Sequence, residues 1–430
     1  MTRREASIKA NVRKCAAFIL CAASAIPLRA QTVTTLFNFD GSDGYWPHAN
    51  LVRAAGGELF GATLQGGANN GGTIFKVTPD GVLTTIYSFC AQVECADGKS
   101  PNGTLVQANN GDLFGTTNLG GIGPYGGEGT VFKVSPGGTL TTLHNFCPQG
   151  NCADGANPSA GLVQATNGDF YGTTLWGGGS NCASLCGTVF KITPSGTLTT
   201  LYKFCSQTGA GGGCTDGMNP FAVLIQARSG DFYGTTGYGG ANDQPSGGGT
   251  IFKLTPTGTL TTLYSFCAKS GCRDGETPLA GLLQATDGDF YGTTMYGGAY
   301  GHGTIFKITS NGSFTSLYSF CSVSGCPDGE DPAAGLIQAT DGEFYGTTYY
   351  GGSNACAGGC GTVFKITPRG AITTLYSFGP HNGTVDGAGP YASLVQAPNG
   401  DFYGTTQEGG PANDGTVFRL SVAFGAFVDR

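Results

Sequence analysis

Hydrophobic and β-branched residues in this chain occur in short runs rather than at helical spacing. Residues 161–204 read GLVQATNGDFYGTTLWGGGSNCASLCGTVFKITPSGTLTTLYKF, and LVQA, DFYGTT, GTVFKI and TLTTLYKF are rich in Val, Ile, Thr, Tyr and Phe. This composition is typical of strands, and no run keeps helical spacing over the length that a helix needs. Asn167-Gly168 and Pro194-Ser195-Gly196 predict tight turns. The stretch therefore predicts a four-stranded antiparallel meander, whose strands we name a to d.

This pattern occurs seven times. The Gly of the YGTT-like segment recurs every 54–62 residues, at Gly61, Gly115, Gly172, Gly234, Gly292, Gly346 and Gly404. A four-stranded unit repeated at this period is typical of a β-propeller, whereas parallel β-helices, the main alternative, use shorter repeats. We therefore predict an all-β, seven-bladed β-propeller over residues 31–430. The predicted blades are 48–89, 102–146, 160–204, 221–266, 280–320, 334–378, and 391–421 together with 32–39.

The two ends of the repeat region are complementary. QTVTTLFNF, at 31–39, aligns with strand d, and the last copy stops after its strand c, near 415–421. We predict that the N-terminal strand completes the seventh blade. Such pairing closes the ring and removes the open sheet edges that invite aggregation.

The first thirty residues differ from the rest. A basic segment, with Arg3, Arg4 and Lys9 among its charges, precedes an apolar, alanine-rich run from Cys15 to Leu28. This order is typical of a secretory signal peptide. We therefore expect residues 1–30 to be an export signal and the mature chain to be soluble, without a transmembrane segment, in an extracellular or periplasmic location.

Charge narrows the range of partners. Charged residues make up 11% of the chain and the formal net charge is −7, and Lys and Arg form no clusters beyond the N-terminal basic segment. Nucleic-acid binding depends on such clusters, so we expect no nucleic-acid partner. We also expect a monomer with no cofactor.

Cysteines occur as near-neighbour pairs. Outside the first thirty residues there are five pairs after strand d and two in the b–c loop. They are Cys90/Cys95, Cys147/Cys152, Cys205/Cys214, Cys267/Cys272, Cys321/Cys326, Cys182/Cys186 and Cys356/Cys360. An even number with local pairing and an export signal predicts disulfides. Zinc is the alternative, but C-x₂-C spacing is absent and the pairs belong to separate loops; we expect no metal.

The combination LVQATNGDFYGTT, GG and GTVFKITPSGTLTTLYSF resembles the GloVer-type tandem repeat of exported bacterial proteins. The resemblance covers about 31–421. It implies a secreted or surface repeat protein and attaches no activity to the repeat itself.

Several polar positions repeat in the copies. Each inter-blade loop carries D-G-x-x-P, with Asp43, Asp97, Asp154, Asp216, Asp274, Asp328 and Asp386. A ring of carboxylates that binds a cation is one interpretation; hydrogen bonding within the turn is the other, and we favour it because all seven positions are equivalent. The Gln of strand a and the Lys of strand c recur in the same way. We identify no H-E-x-x-H, G-x-S-x-G or phosphate-loop motif, and therefore no catalytic residue.

One position breaks the symmetry. The residue before Gly-Gly in the b–c loop is aromatic in four successive blades, namely Trp176, Tyr238, Tyr296 and Tyr350. It is Gln65, Leu119 and Glu408 in the other three. We expect these loops to emerge on the same face as the d–a loops. We therefore predict an aromatic arc that contacts ligand there; packing of each ring under its own loop is the alternative.

These observations favour an exported binding or interaction module for an extracellular ligand, either a glycan or a protein. Two alternatives stay open. One is a propeller hydrolase or lyase that acts on a polysaccharide or peptide, and the other is a structural surface or matrix protein. An enzyme should show asymmetric acids, His or Arg on the loop face, and a binder exposed aromatic side chains.

Overall fold

The computed structural model describes residues 31–179, 186–209, 212–242, 247–352, 356, 358–381 and 384–422. In this part of the chain, seven antiparallel sheets of four or five strands follow one another. The predicted seven-bladed β-propeller is therefore confirmed. The predicted export signal, residues 1–30, lies outside the described residues.

Each blade is a meander of strands a to d. Strand a is Val52–Arg53, Val106–Gln107, Val163–Gln164, Ile225–Gln226, Leu283–Gln284, Ile337–Gln338 and Val395–Gln396 in blades 1 to 7. Strand b is Leu59–Gln65, Leu113–Thr117, Phe170–Thr174, Phe232–Thr236, Phe290–Thr294, Phe344–Thr348 and Phe402–Thr406. Strand c is Thr73–Val77, Thr130–Val134, Thr188–Ile192, Thr250–Leu254, Thr304–Ile308, Thr362–Ile366 and Thr416–Ser421. Strand d is Leu83–Ser88, Leu140–Asn145, Leu198–Lys203, Leu260–Ser265, Phe314–Ser319, Ile372–Ser377 and, for blade 7, Thr32–Asn38.

Short elements decorate the connections. Tyr45–Pro47 adds a fifth strand against strand b of blade 1, and Pro380–His381 pairs with Thr384–Val385. Three 3₁₀ turns are formed by Val93–Cys95, Pro124–Gly126 and Ser270–Cys272. Among the described residues, no helix is long and apolar enough to cross a bilayer.

The glycine of strand b is required by close packing inside the blade. A Cβ atom on Gly172 would lie 2.6 Å from Cζ of Phe190, on strand c, and 2.8 Å from Cδ2 of Leu162, which precedes strand a. All seven equivalent glycines meet the corresponding Phe ring at 2.4–2.7 Å. Real Cβ atoms do not approach other atoms so closely, so the Gly in the repeat is explained by the Phe that fills its place.

A second Phe joins each blade to the next. The Phe after strand d packs edge-to-face against the strand c Phe of the following blade, with ring centroids 5.1–5.4 Å apart. The pairs are Phe39/Phe75, Phe89/Phe132, Phe146/Phe190, Phe204/Phe252, Phe266/Phe306, Phe320/Phe364 and Phe378/Phe418. Edge-to-face geometry is favoured by the aromatic quadrupole and adds about 0.5–1.5 kcal/mol to burial for each pair.

The ring closes as predicted. Thr32–Asn38 pairs antiparallel with Thr416–Ser421, from Thr32 opposite Ser421 to Asn38 opposite Thr416. Phe39 then supplies the contact between blade 7 and blade 1. Strand d of the last blade thus comes from the opposite end of the chain.

The a–b and c–d turns form one face, which we call the turn face. The repeated Lys of strand c and Gln of strand a bind to the turns on this face. In every blade the strand c cation lies 2.6–4.0 Å from an acid of its own a–b turn, as Lys253 does with Asp231. The Gln of strand a links turns of neighbouring blades in four cases; Gln226 Oε1, for example, accepts from Thr166 N–H at 2.9 Å. These symmetric side chains are structural.

We expect removal of residues 31–39 to destabilise the whole ring, because it exposes the edge at Thr416–Ser421 and leaves Phe75 without its partner Phe39. A chain that begins at Asp40 should melt at a clearly lower temperature than the protein that begins at Gln31. A synthetic peptide of residues 31–39 should restore much of the loss, whereas a peptide of the same composition in scrambled order should not. An unchanged melting temperature would contradict this account of closure.

Candidate functional site

The b–c and d–a loops lie on one face, which we call the loop face. Backbone bridges join the residue directly after Asp-Gly in each d–a loop to the residue before Gly-Gly in the next b–c loop. The pairs are Tyr45/Gln65, Lys99/Leu119, Ala156/Trp176, Met218/Tyr238, Glu276/Tyr296, Glu330/Tyr350 and Ala388/Glu408. The sequence prediction that both loop types share a face is therefore confirmed, and the aromatic position of each blade has a defined neighbour.

The D-G-x-x-P aspartates organise the loops. Asp97 is fully buried, and its carboxylate accepts from the Tyr87 hydroxyl at 2.8 Å and from Ala91 N–H at 3.0 Å. The same Tyr–Asp bond occurs in five blades, including Tyr376 with Asp386. In blade 2, His144 replaces the Tyr, and its Nε2 lies 2.9 Å from Asp154 Oδ2. These carboxylates are engaged within their own loops, as the turn interpretation expects.

Disulfides tie down the same loops. Six of the predicted pairs are bonded in the described part of the chain: Cys90–Cys95, Cys147–Cys152, Cys205–Cys214, Cys267–Cys272, Cys321–Cys326 and Cys356–Cys360. Cys186 is also disulfide-bonded, and its predicted partner Cys182 lies outside the described residues. Disulfides of this number indicate an oxidising environment.

The residue before each loop proline has left-handed backbone. Six of these residues are not glycine, and their φ angles lie between 52° and 57° (Trp46, Ser100, Asn157, Asn219, Thr277 and Asp331). A left-handed non-glycine residue costs on the order of 1–3 kcal/mol. Hydrogen bonds to both neighbouring blades compensate: Asn157 N–H donates to Glu128 O at 2.7 Å, and its carbonyl accepts from Leu175 N–H at 3.0 Å.

The left-handed backbone bends the chain at this point, and the residue after each proline lines the central cavity of the propeller. The central cavity is lined by His48, Asn102, Ser159, Phe221, Leu279, Ala333 and Tyr391, one from each blade. His48 stacks on Tyr391 at 3.7 Å between ring centroids, and burial lowers the pKa of His48 to about 4. We call these seven residues the rim, and our sequence reasoning missed them. The signal was available, because these are the positions after D-G-x-x-P at which the copies diverge.

The predicted aromatic arc is largely solvent-accessible. Trp176 is 40% exposed, and Tyr296 and Tyr350 are each 39% exposed. Tyr238 is half-buried and packs edge-on against the rim residue Phe221, with centroids 6.4 Å apart. Burial raises the pKa of Tyr296, and Asp331 and the flanking Tyr238 and Tyr350 add to the effect. Tyr296 therefore lies among charged and aromatic neighbours from both adjacent blades.

A groove lies between two members of the arc. It has a volume of about 490 Å³ and is lined by Tyr238, Tyr296, Glu276, Lys269 and Asn242 together with loop glycines. A second hollow of about 300 Å³, between blades 6 and 7, is lined by Tyr350, Tyr349, Glu408 and Asn413. Both volumes fall within the range of ligand sites, and each combines an aromatic ring with a carboxylate.

Acids surround the arc at blades 5 and 6. His302 Nδ1 lies 2.7 Å from Glu330 Oε2. Beside it, burial and the Glu330 charge raise the pKa of Asp331 to about 6. Cys321 and Cys326 lie in the same group, but their sulfurs form a disulfide and cannot ligate a metal.

Asp331 is the residue before the loop proline of its repeat. At the equivalent position two other repeats have Asn, namely Asn157 and Asn219. Asn157 and Asn219 donate from Nδ2 to carbonyls of the preceding b–c loop, Asn118 O and Leu175 O, each at 3.0 Å. A carboxylate cannot donate to such a carbonyl unless it is protonated. This substitution is another asymmetric feature of the loop face.

The repeat and its geometry agree with a known sequence family. The profile of the Gloeobacter/Verrucomicrobia repeat matches residues 24–153, 123–327 and 272–428. The chain belongs to this repeat family. The resemblance inferred from the repeat is thereby confirmed, and no curated protein matches the sequence.

Solved structures are similar to this repeat protein in fold. A streptogramin B lyase is 15% identical over 92% of this chain and 99% of its own, with a TM-score of 0.57. Virginiamycin B lyase from Staphylococcus aureus is 14% identical over 91% of this chain and 99% of its own, with a TM-score of 0.56. At such identities the similarity shows the propeller fold alone.

We expect Asp331→Asn to stabilise the protein at neutral pH. Folding raises the pKa of Asp331 from 3.8 to about 6, so the folded state holds a proton there that the unfolded chain has released. Stability contributed by this residue therefore falls as pH rises from about 4 to about 6. The Asn variant should melt above wild type at pH 8 but not at pH 3.5.

The reverse change is the control for Asp331→Asn. Asn157→Asp should lower the melting temperature at pH 8 and have a smaller effect at pH 3.5, where the introduced carboxyl is protonated. A difference between Asp331→Asn and wild type that does not vary with pH would contradict the assignment.

The predicted Cys182–Cys186 disulfide can be tested by mass spectrometry. Peptide mapping of non-reduced protein should find this link and no free thiol. A bridge that closes a loop this short adds about 2 kcal/mol by loop entropy. Replacing Cys90 and Cys95 by Ser should therefore lower stability modestly while the circular dichroism of the sheets is retained. For the other bridge, an alkylatable thiol at Cys182 in native protein would overturn the Cys182–Cys186 pairing.

Proposed function

We propose that this protein is an exported carbohydrate-binding module that holds its ligand across the loop face, on the arc formed by Trp176, Tyr238, Tyr296 and Tyr350. The observation that carries the proposal is the exposure of three of these rings, in blades 3, 5 and 6, at one structural position of the repeat. Aromatic faces suit the C–H faces of sugars, and the Tyr and Trp polar groups orient hydroxyls.

The hydrogen-bonding groups beside the rings support a polar ligand. Glu276 can accept from sugar hydroxyls, Lys269 can donate, and the Asn242 amide can do both. All three line the groove between Tyr238 and Tyr296. A protein interface would place more contiguous apolar surface at its centre.

The central cavity limits where the ligand lies. Its volume is about 90 Å³, which holds only a few water molecules. A saccharide must therefore lie over the mouth of the channel, in contact with the loops. Disulfides and the bridges between loops hold these contact residues in place, which reduces the entropy lost on binding.

A second candidate function is a polysaccharide hydrolase or lyase. It is favoured by Asp331, whose pKa of about 6 suits a general acid or base at neutral pH, and by the adjacent Glu330 and His302. Incubation with the bound polysaccharide, followed by assay for new reducing or unsaturated ends, distinguishes the two. Product formation that Asp331→Asn abolishes would favour the enzyme; intact polysaccharide favours the binding module.

We expect the double variant Trp176→Ala, Tyr296→Ala to lose binding while its stability is nearly unchanged, because surface truncations usually cost about 0.5 kcal/mol or less. Leu119→Ala is the matched control. Leu119 occupies the position of blade 2 that is equivalent to Trp176 and is equally exposed, but it lies outside the arc. A packed aromatic such as Phe190 should instead cost about 3–5 kcal/mol when truncated.

The measurements are melting temperature and retention on immobilised polysaccharides. Retention lost in the double variant and kept in Leu119→Ala would support the arc. Unchanged retention, or a fall in melting temperature of the size expected for Phe190→Ala, would mean that the four aromatic residues are scaffold.

A further inference from the structure

The two faces of the propeller carry very different charge. On the turn face of the described chain, ten Lys or Arg balance ten Asp or Glu. The described part of the loop face carries fifteen Asp or Glu but only four cations, Lys99, Lys203, Lys269 and Arg273. In the described chain, the excess of negative charge therefore lies on the face that carries the aromatic arc. A field of one sign over a surface attracts ligands of the opposite sign and speeds their association.

Carboxylates also lie directly beside the arc. Glu276 bridges to Tyr296, and Glu330 bridges to Tyr350, at equivalent places in blades 5 and 6. Glu276 lines the groove of about 490 Å³, and Glu408 lines the hollow that adjoins Tyr350. Each aromatic platform in this part of the face is thus accompanied by an acid from the next loop.

We propose that the ligand is a cationic glycan, a polymer of de-N-acetylated amino sugars, which docks across blades 5 and 6. Its ring faces lie on the tyrosines of the arc, and its ammonium groups lie toward Glu276 in the groove and Glu330 beside Tyr350. The proposal rests on the carbohydrate-binding function proposed above and specifies the class of sugar. Ammonium groups are attracted both by carboxylates and by the faces of aromatic rings.

The repetition of the aromatic–carboxylate pair favours a polysaccharide over a basic peptide. Blades 5 and 6 present the pair at equivalent backbone positions, with Glu276 opposite Tyr296 and Glu330 opposite Tyr350. A ligand that fits such an array repeats one apolar ring face and one cation per unit. An amino-sugar polymer has this regularity, whereas a lysine-rich peptide carries its charge on flexible chains without a ring face.

The test compares hexamers of glucosamine and N-acetylglucosamine with polylysine, at about pH 6 by calorimetry. The glucosamine hexamer should bind roughly tenfold or more tightly than the N-acetylated hexamer, and added salt should weaken its binding. Glu276→Gln with Glu330→Gln should remove this preference. Glu58→Gln with Glu343→Gln, the matched change on the turn face, should not.

The outcomes separate the two proposals. Equal binding of the two hexamers would overturn the cationic ligand and leave carbohydrate binding intact. Binding of polylysine without either hexamer, or no binding of any probe, would overturn the amino-sugar ligand; retention on immobilised polysaccharides then decides carbohydrate binding itself. A glucosamine preference that persists in Glu276→Gln with Glu330→Gln would overturn the assigned carboxylates.

Discussion

The edge-to-face contact between two phenylalanines is the interaction on which this ring depends. It occurs at all seven blade junctions with nearly the same separation. The strand c ring of each pair also fills the space above the glycine of strand b. One side chain therefore sets the spacing within a blade and between blades. At the last junction this contact comes from Phe39, so the ring cannot close until the two ends of the chain meet, which makes the topology non-local and slow to form.

The two faces have different roles because the repeat treats them differently. On the turn face, the strand c cation and the strand a Gln are the same in almost every copy, and they join turns to turns. On the loop face, the backbone bridges are the same but the side chains beside them change from blade to blade. A rigid scaffold with variable loops is the usual arrangement for recognition, and the asymmetry here is concentrated at blades 3 to 6.

The loop aspartates illustrate how structure and electrostatics are coupled. Each D-G-x-x-P carboxylate organises its own turn, as Asp97 does with Tyr87. Seven of them nevertheless lie on one face, where the acids of the arc add to their charge. The negative loop face is thus partly a consequence of turn chemistry, and Glu276, Glu330 and Glu408 place further charge next to the exposed rings.

The fold class, the number of blades, the strand that closes the ring and six of the seven cysteine pairs follow from the amino-acid sequence, because these depend on local periodicity and on spacing within one repeat. The sequence also placed Trp176, Tyr296 and Tyr350 at one register position. Tertiary structure decided what lies beside them: the bridge from Glu276 to Tyr296, the contact of Tyr238 with Phe221, and the rim that stacks His48 on Tyr391. The first two contacts each lie within one repeat, whereas His48 and Tyr391 belong to blades 1 and 7 and are far apart in sequence. Only closure of the ring, with the left-handed bend before each loop proline, brings them together around one axis.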